Sequence, residues 1–432
     1  MERRNKLKII IFVLIFLEII IILFIVFFVY NRLNESSHCD NNINPKVLLI
    51  GIDGADWHYM YPLLKKGKLP NIKSLMQTGS YGKLSTISKK PTGTANMQWT
   101  TMITGKSYKE HNITSASIYL NNSYIGPVKS GMRTSKALWN ILGDENISVG
   151  VVGWPTTWPA ENINGYMVSN YLKYRSSKLK KKEKPQLTFT GTIYSNPYLN
   201  QTFPEKFYFD IESIIKEKEK INDSEINKHF SRLSKENNRE IFYDIKWNYV
   251  SNEIFSDISL FLLKNFSLDF ITVIEYGIDV AFHRDYAVDN LLSDYYVYVD
   301  EKIGELLEYI SKDTNIVIVS EHGHYGEKDH VKMPIDGIFI IEGPCIKNNF
   351  FVENVSILDI FPTILFIFDL SIPNDINGRI LQQVFNDEFF EGKLSKNINS
   401  YEDNISKTLL NMNFLLFDDE IIKRLESIGY LV

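Results

Sequence analysis

Residues 47–60 read VLLIGIDGADWHYM, an apolar run that ends in Asp53 and Gly54. A short continuous apolar run closed by a turn pair is the pattern of a strand buried on both faces. Asp-Gly is also a common turn pair, so by itself Asp53 is explained by the turn. A carboxylate at the mouth of a buried strand gains chemical meaning only if other ligand-type residues gather at the same edge.

The rest of the chain supplies the setting. KVLLIG, ISVGVVGW, FITVIEYG, TNIVIVSE and GIFIIEG are strand-like runs, and between them lie segments of helical spacing, among them Asn290 to Ile310. Strand and helix in alternation predict an α/β core with a largely parallel central sheet flanked by helices on both faces. In such sheets the ligand crevice lies at the carboxyl ends of the strands. Asp53, Asp279, Glu321 and His322 all fall at such ends.

Four of the eight histidines lie between positions 283 and 330. EYGIDVAFH places Asp279 and His283 four residues apart, on one face of a helical turn. IVIVSEHGHYG carries Glu321, His322 and His324, and His330 follows. Each has an ordinary structural reading alone, but three carboxylates and three imidazoles (Asp53, Asp279, Glu321, His283, His322, His330) suffice for two zinc-type sites. KKPTGTANMQWTTMITGK adds Thr94 before a helix expected to start at Ala95. That threonine is either a plain N-cap or a nucleophile whose phosphate partner faces the backbone N–H groups of the first turn.

These stretches resemble the type I phosphodiesterases and nucleotide pyrophosphatases of the alkaline phosphatase superfamily. The resemblance runs through LLIGIDGADW, PTGTANMQWTTMITGKSYKEHNI, GWPTTWPAENINGYMVSN, DVAFH, VIVSEHGHYG with His330, ILDIFPTIL, IPNDINGRIL and RLESIGYL, in the order of the family. It implies an alkaline-phosphatase-like core and two divalent metal ions, expected to be zinc. One would be held by Asp279, His283 and His330, the other by Asp53, Thr94, Glu321 and His322. It also implies a phosphoester substrate, attack by the metal-bound Thr94 hydroxyl, and a covalent phospho-threonine. Asn96, Lys106 and His324 are the candidate substrate-binding residues.

The chain departs from the family's pattern in three places. Glu321 stands where aspartate is usual. The spacing from Thr94 to Trp99 is one residue longer, so Thr94 requires a bulge, and Thr92 is the alternative. Ala116 replaces an asparagine that binds phosphate in nucleotide pyrophosphatases. A phospho-group transferase acting on a lipid or glycan, and a catalytically silent membrane-anchored binding protein, are the alternative functions. No Cys/Ser-x-Pro-x-Arg stretch of the sulfatase kind occurs.

From Ile9 to Val29 every residue except Glu18 is apolar. A helix of that length is roughly 31 Å long, enough to span a bilayer. Each strongly apolar residue contributes roughly 0.3–0.6 kcal/mol, which outweighs the roughly 3 kcal/mol cost of one central acid. Arg3, Arg4, Lys6 and Lys8 precede the run while only Arg32 follows closely, so the N-terminus is expected in the cytoplasm and the catalytic part outside. A cleaved signal peptide is the alternative, without a small-residue cleavage site to support it.

The expected organisation is a cytoplasmic tip, transmembrane anchor and stalk over 1–45, then core over 46–171. An inserted cap follows over 172–267, and the core resumes over 268–432 with a terminal amphipathic helix in DDEIIKRLESIGYLV. The 432 residues are 44% hydrophobic and 13% aromatic, which excludes a disordered chain. A net charge of -5 lacks the basic footprint of a nucleic-acid binder, so no polymer of that kind is expected as a partner. Two cysteines, Cys39 and Cys345, are too few for a disulfide framework.

Overall fold

The computed structural model describes residues 45–87, 95–120, 123–172, 200–236, 239–284, 288–325, 333–393 and 396–402. The strands are β1 (Lys46–Ile52), β2 (Ser80–Ser85), β3 (Ser117–Leu120), β4 (Ser123–Pro127), β5 (Val149–Val152), β6 (Gly165–Val168), β7 (Thr202–Phe203), β8 (Phe270–Glu275), β9 (Thr314–Val319), β10 (Gly323–Tyr325), β11 (Met333–Ile335), β12 (Gly337–Glu342) and β13 (Phe350–Ser356). The helices are α1 (Trp57–Lys65), α2 (Pro70–Thr78), α3 (Ala95–Thr104), α4 (Tyr108–His111), α5 (Leu138–Asp144), α6 (Phe207–Lys218), α7 (Asp223–His229), α8 (Arg239–Asn265), α9 (Gly277–Arg284), α10 (Leu291–Leu307), α11 (Ile360–Ile367) and α12 (Asp387–Gly392).

Among the described residues one sheet of nine strands runs in the order β13-β2-β12-β9-β1-β8-β5-β6-β7. The pairs β9/β1, β1/β8, β8/β5, β5/β6 and β2/β13 are parallel. Only β12 and β7 run against their neighbours. The three central strands, β9, β1 and β8, are buried along almost their whole length, as their unbroken apolar runs require when both sheet faces are covered. In β1, Ile52 lies opposite Glu275 of β8 and Gly51 lies opposite Val319 of β9. All three strands therefore end at one level, and the residues that follow them meet at one edge.

Packing then carries α3 to that edge. A Cβ on Gly51 would stand 2.9 Å from Cη2 of Trp99 and 3.2 Å from Cγ1 of Ile274. The absence of that carbon lets the fully buried Trp99 lie against β1 and seats α3 on the sheet. The segment ILDIFPTIL contributes α11, buried at every position and too short to span a bilayer. No helix of the described residues is long and apolar enough to cross a membrane. Residues 9–29 and the terminal stretch DDEIIKRLESIGYLV lie outside the described residues.

The segment from β7 to α8 is tied into the core. Its β7 adds an antiparallel edge to the main sheet, and α8 packs on β5 and β8. A buried ionic cluster secures the contact. Glu253 of α8 pairs with Lys218 of α6 and Lys302 of α10, both at 2.8 Å, and accepts a hydrogen bond from Tyr298 Oη at 3.0 Å. Burial alone would raise the Glu253 carboxyl, but the charges of Lys302 and Lys218 hold it below the usual range.

A carboxyl lowered in this way adds stability above its unfolded pKa, and that stability is lost as pH falls through the folded value. Glu253→Gln leaves two buried ammonium groups with less compensation, so it is expected to cost about 3 kcal/mol near neutral pH. In denaturant melts across pH 3–7 the variant should also show a shallower loss of stability on the acid side. An unchanged melt would show that the cluster does not hold α8 to its neighbours.

Candidate metal centre

The chain beyond β1 makes a tight turn over Asp53–Asp56. Asp53 N donates to Glu275 O at 2.8 Å, extending the β1/β8 pairing by one residue, and Asp279 N of α9 donates to Asp53 O at 3.2 Å. Gly54 has a φ of +77°, a left-handed conformation that glycine adopts without strain. A Cβ there would stand 2.3 Å from Cε1 of His324. Ala55 N donates to Ser320 Oγ at 2.9 Å, and that hydroxyl donates to His322 O at 2.8 Å. One turn thus joins the loops that follow all three central strands.

Two sets of ligand-type side chains converge on the turn. Asp279, His283 and His324 form one, and Asp53, Glu321 and His322 form the other; within each, one ligand atom per residue lies within 4.8 Å of the others. In the first, Asp279 Oδ1 is 2.7 Å from His324 Nε2 and 3.5 Å from His283 Nε2. Asp279 and His283 share a helix face as their spacing predicts. His324 Nδ1 donates to Gly54 O at 3.0 Å, which turns Nε2 toward Asp279. An imidazole with its Nδ1 proton committed to a carbonyl presents Nε2 to a cation, the arrangement usual for metal-bound histidine. Its ring also stacks on Phe282, with centroids 4.0 Å apart.

In the second set, His322 Nε2 stands 3.4 Å from Glu321 Oε1 and 3.7 Å from Asp53 Oδ1. Glu321 is 0% exposed, and neither of its oxygens accepts a well-formed hydrogen bond among the described residues. Burial first, then the charge of Asp53, pushes its carboxyl well above the usual range. Burial also lowers His322, aided by the charge of His324, and favours the neutral ring that a metal requires. Asp279 behaves oppositely: burial would raise it, but hydrogen bonds from His283 and His324 hold it well below the carboxylate range.

Two closely packed carboxyl groups beside an imidazole whose neutral form is favoured suit a divalent cation, whose charge would offset theirs. The nitrogen and oxygen donors of both sets suit zinc-type ions. Burial pushes the neighbouring Glu275 carboxyl up to about 8, and Glu275 stands in neither ligand set.

The other expected site residues fall as follows. Helix α3 includes Ala95, the expected start, while Thr94, the alternative Thr92, and His330 lie outside the described residues. Asn96 in the first turn of α3 donates to Thr156 Oγ1 at 3.1 Å, which brings the GWPTTW loop beside that helix end. Lys106 is engaged elsewhere: its Nζ pairs with Asp375 at 2.9 Å and Glu402 at 3.3 Å, a contact set that fastens the end of α3 to the C-terminal segment. His324, a candidate substrate residue from the sequence, stands with Asp279 and His283. Sequence reasoning missed Ser320 and Asp56. An N-cap before Trp57 was legible for Asp56, but its second partner was not.

Gly54→Ala is therefore expected to push the His324 ring aside. Overpacking of this kind costs about 1–3 kcal/mol. The variant should also lose affinity for zinc at one of two sites in a chelator-competition titration, and unchanged affinity at both would refute the role given to this turn.

The family model for type I phosphodiesterase / nucleotide pyrophosphatase matches residues 47–359. No curated protein compared with the chain matches it. Solved structures with a similar course include human ectonucleotide pyrophosphatase/phosphodiesterase 5, 14% identical over 79% of this chain and 100% of that one, TM-score 0.46. The murine counterpart, an inactive variant in complex with AMP, is 13% identical over 77% of this chain and 97% of that one, TM-score 0.44. BT4656, in complex with its substrate D-glucosamine-2-N,6-O-disulfate, is 16% identical over 83% of this chain and 82% of that one, TM-score 0.44. The assignment rests on the family match, which spans well over half of the sequence: the chain belongs to the type I phosphodiesterase/nucleotide pyrophosphatase family and is a phosphoric ester hydrolase.

Proposed function

We propose that the protein is a membrane-anchored, two-metal phosphodiesterase that uses Thr94 as its nucleophile. The observation that carries this reading is the pair of adjoining ligand sets at the carboxyl ends of β9, β1 and β8. Asp279, His283 and His324 would hold one divalent ion, together with His330, which the family resemblance assigns to it. Asp53, Glu321 and His322 would hold the other, with Thr94 as a further ligand. Divalent ions so placed lower the pKa of a hydroxyl or water and offset the charge of phosphoryl oxygens.

The chain's own groups do the rest. The Thr94 oxygen, its proton given up to solvent, forms a bond to phosphorus as the bond from phosphorus to the alcohol oxygen breaks and that oxygen takes up a proton; water then cleaves the phospho-threonine, releasing the phosphate monoester and restoring the threonine hydroxyl. The first-turn N–H groups of a helix have no acceptor within it, so the start of α3, a helix of ten residues, favours a phosphate oxygen. Anchoring through residues 9–29, with the catalytic part outside the cytoplasm, is supported by the apolar run and by the basic residues that precede it.

Hydrolysis of bis-p-nitrophenyl phosphate and p-nitrophenyl phosphate by the full chain in detergent tests the chemistry. Zinc-dependent turnover, abolished by chelator, is expected, with the diester preferred. Thr94→Ala should lose at least about a thousandfold in rate, while Thr92→Ala should not. Full activity in chelator would remove the basis of the reading, and full activity of Thr94→Ala would remove the nucleophile. For the anchor, the chain should stay with membranes through alkaline carbonate extraction, and release into the supernatant would refute it.

A further inference from the structure

Beside the two ligand sets lies a carboxylate that belongs to neither. Asp56 is only 2% exposed, and its two oxygens serve different elements. Oδ1 accepts from His58 N at 2.8 Å, the N-cap of α1. Oδ2 accepts from His324 N at 3.0 Å, across 268 positions of sequence. The Asp56 N–H donates to Tyr296 Oη of α10 at 2.9 Å, so the residue itself is anchored. A Cβ on Gly323 would stand 3.0 Å from the Asp56 carboxylate, and its absence is what lets the β10 chain approach.

A helix cap requires one acceptor. The second oxygen of Asp56 reaches the backbone of the residue whose ring Gly54 O already orients, so one turn grips His324 twice, at its main chain and at Nδ1. Resting on the two-metal reading above, we propose that Asp56 is a positioning residue for the Asp279–His283–His324 site. It holds the His324 main chain at the place from which Nε2 faces Asp279, and it does not touch the ion.

Asp56→Ser separates the two roles, because serine caps helices about as well as aspartate but is too short to serve His58 N and His324 N together. The experiment is a zinc titration of the metal-stripped full chain against a chromophoric chelator. It compares wild type, Asp56→Ser, His324→Ala and the double variant, alongside thermal melts of the metal-free proteins. Asp56→Ser should lower the affinity of one of two zinc ions by about 10- to 100-fold, leave the other unchanged, and melt close to wild type. On a His324→Ala background it should have no further effect.

Wild-type affinity for both ions in Asp56→Ser would overturn the inference and leave the two-metal reading standing. An equal loss with and without the His324 side chain would also overturn it, because Asp56 would then act on the fold at large. A wild-type chain that holds no zinc would overturn both. If the serine variant does not fold, Asp56→Asn, which keeps volume and one capping oxygen, is judged by the same affinities.

Discussion

The turn that closes β1 is the constraint on which the site depends. Its backbone binds the ends of β8 and α9 through Asp53, the ring of His324 through Gly54, and the β9 loop through Ala55 and Ser320. This geometry is possible because Gly54 takes a positive φ and leaves space where a Cβ would stand 2.3 Å from the imidazole. Parallel strands of matched length bring three loops to one level, but only this turn fastens them to each other. The two ligand sets are therefore mechanically linked before any cation arrives, and such preorganisation lowers the ordering cost of binding.

Electrostatics act on the same residues. Asp53 and Glu321 are packed together in a sealed place, and burial with like charge drives Glu321 toward its protonated form. The first set is organised differently, with a carboxylate held ionised between two imidazoles. One edge of the sheet thus holds two sites of unlike charge.

Helix α8 contributes by bracing. Glu253 joins α8 to α6 and α10, while Arg284, just beyond His283 on α9, pairs with Asp244 of α8 at 2.9 Å. The helix that presents Asp279 and His283 is consequently held from the side by α8. Stability of α8 and geometry of the site are coupled through that helix.

The five central strands, the helix at 291–307 and the pairing of Asp279 with His283 were legible in the sequence. Buried parallel strands demand unbroken apolar runs, and the helical repeat is local, so both leave a pattern within a few residues. Strands such as β2 and β13 were not legible, because their outward positions are polar or exposed and a bulge interrupts the register of β13. Family resemblance named most of the candidate ligands. His324 and Lys106 were candidate substrate residues without a family counterpart, and the fold sets His324 beside Asp279 and engages Lys106 with Asp375 and Glu402. The double grip of Asp56 and Gly54 on His324 was likewise decided only in three dimensions. Those contacts join residues about 270 positions apart, and a hydrogen bond between a side chain and a distant backbone leaves no mark in the local order of residues.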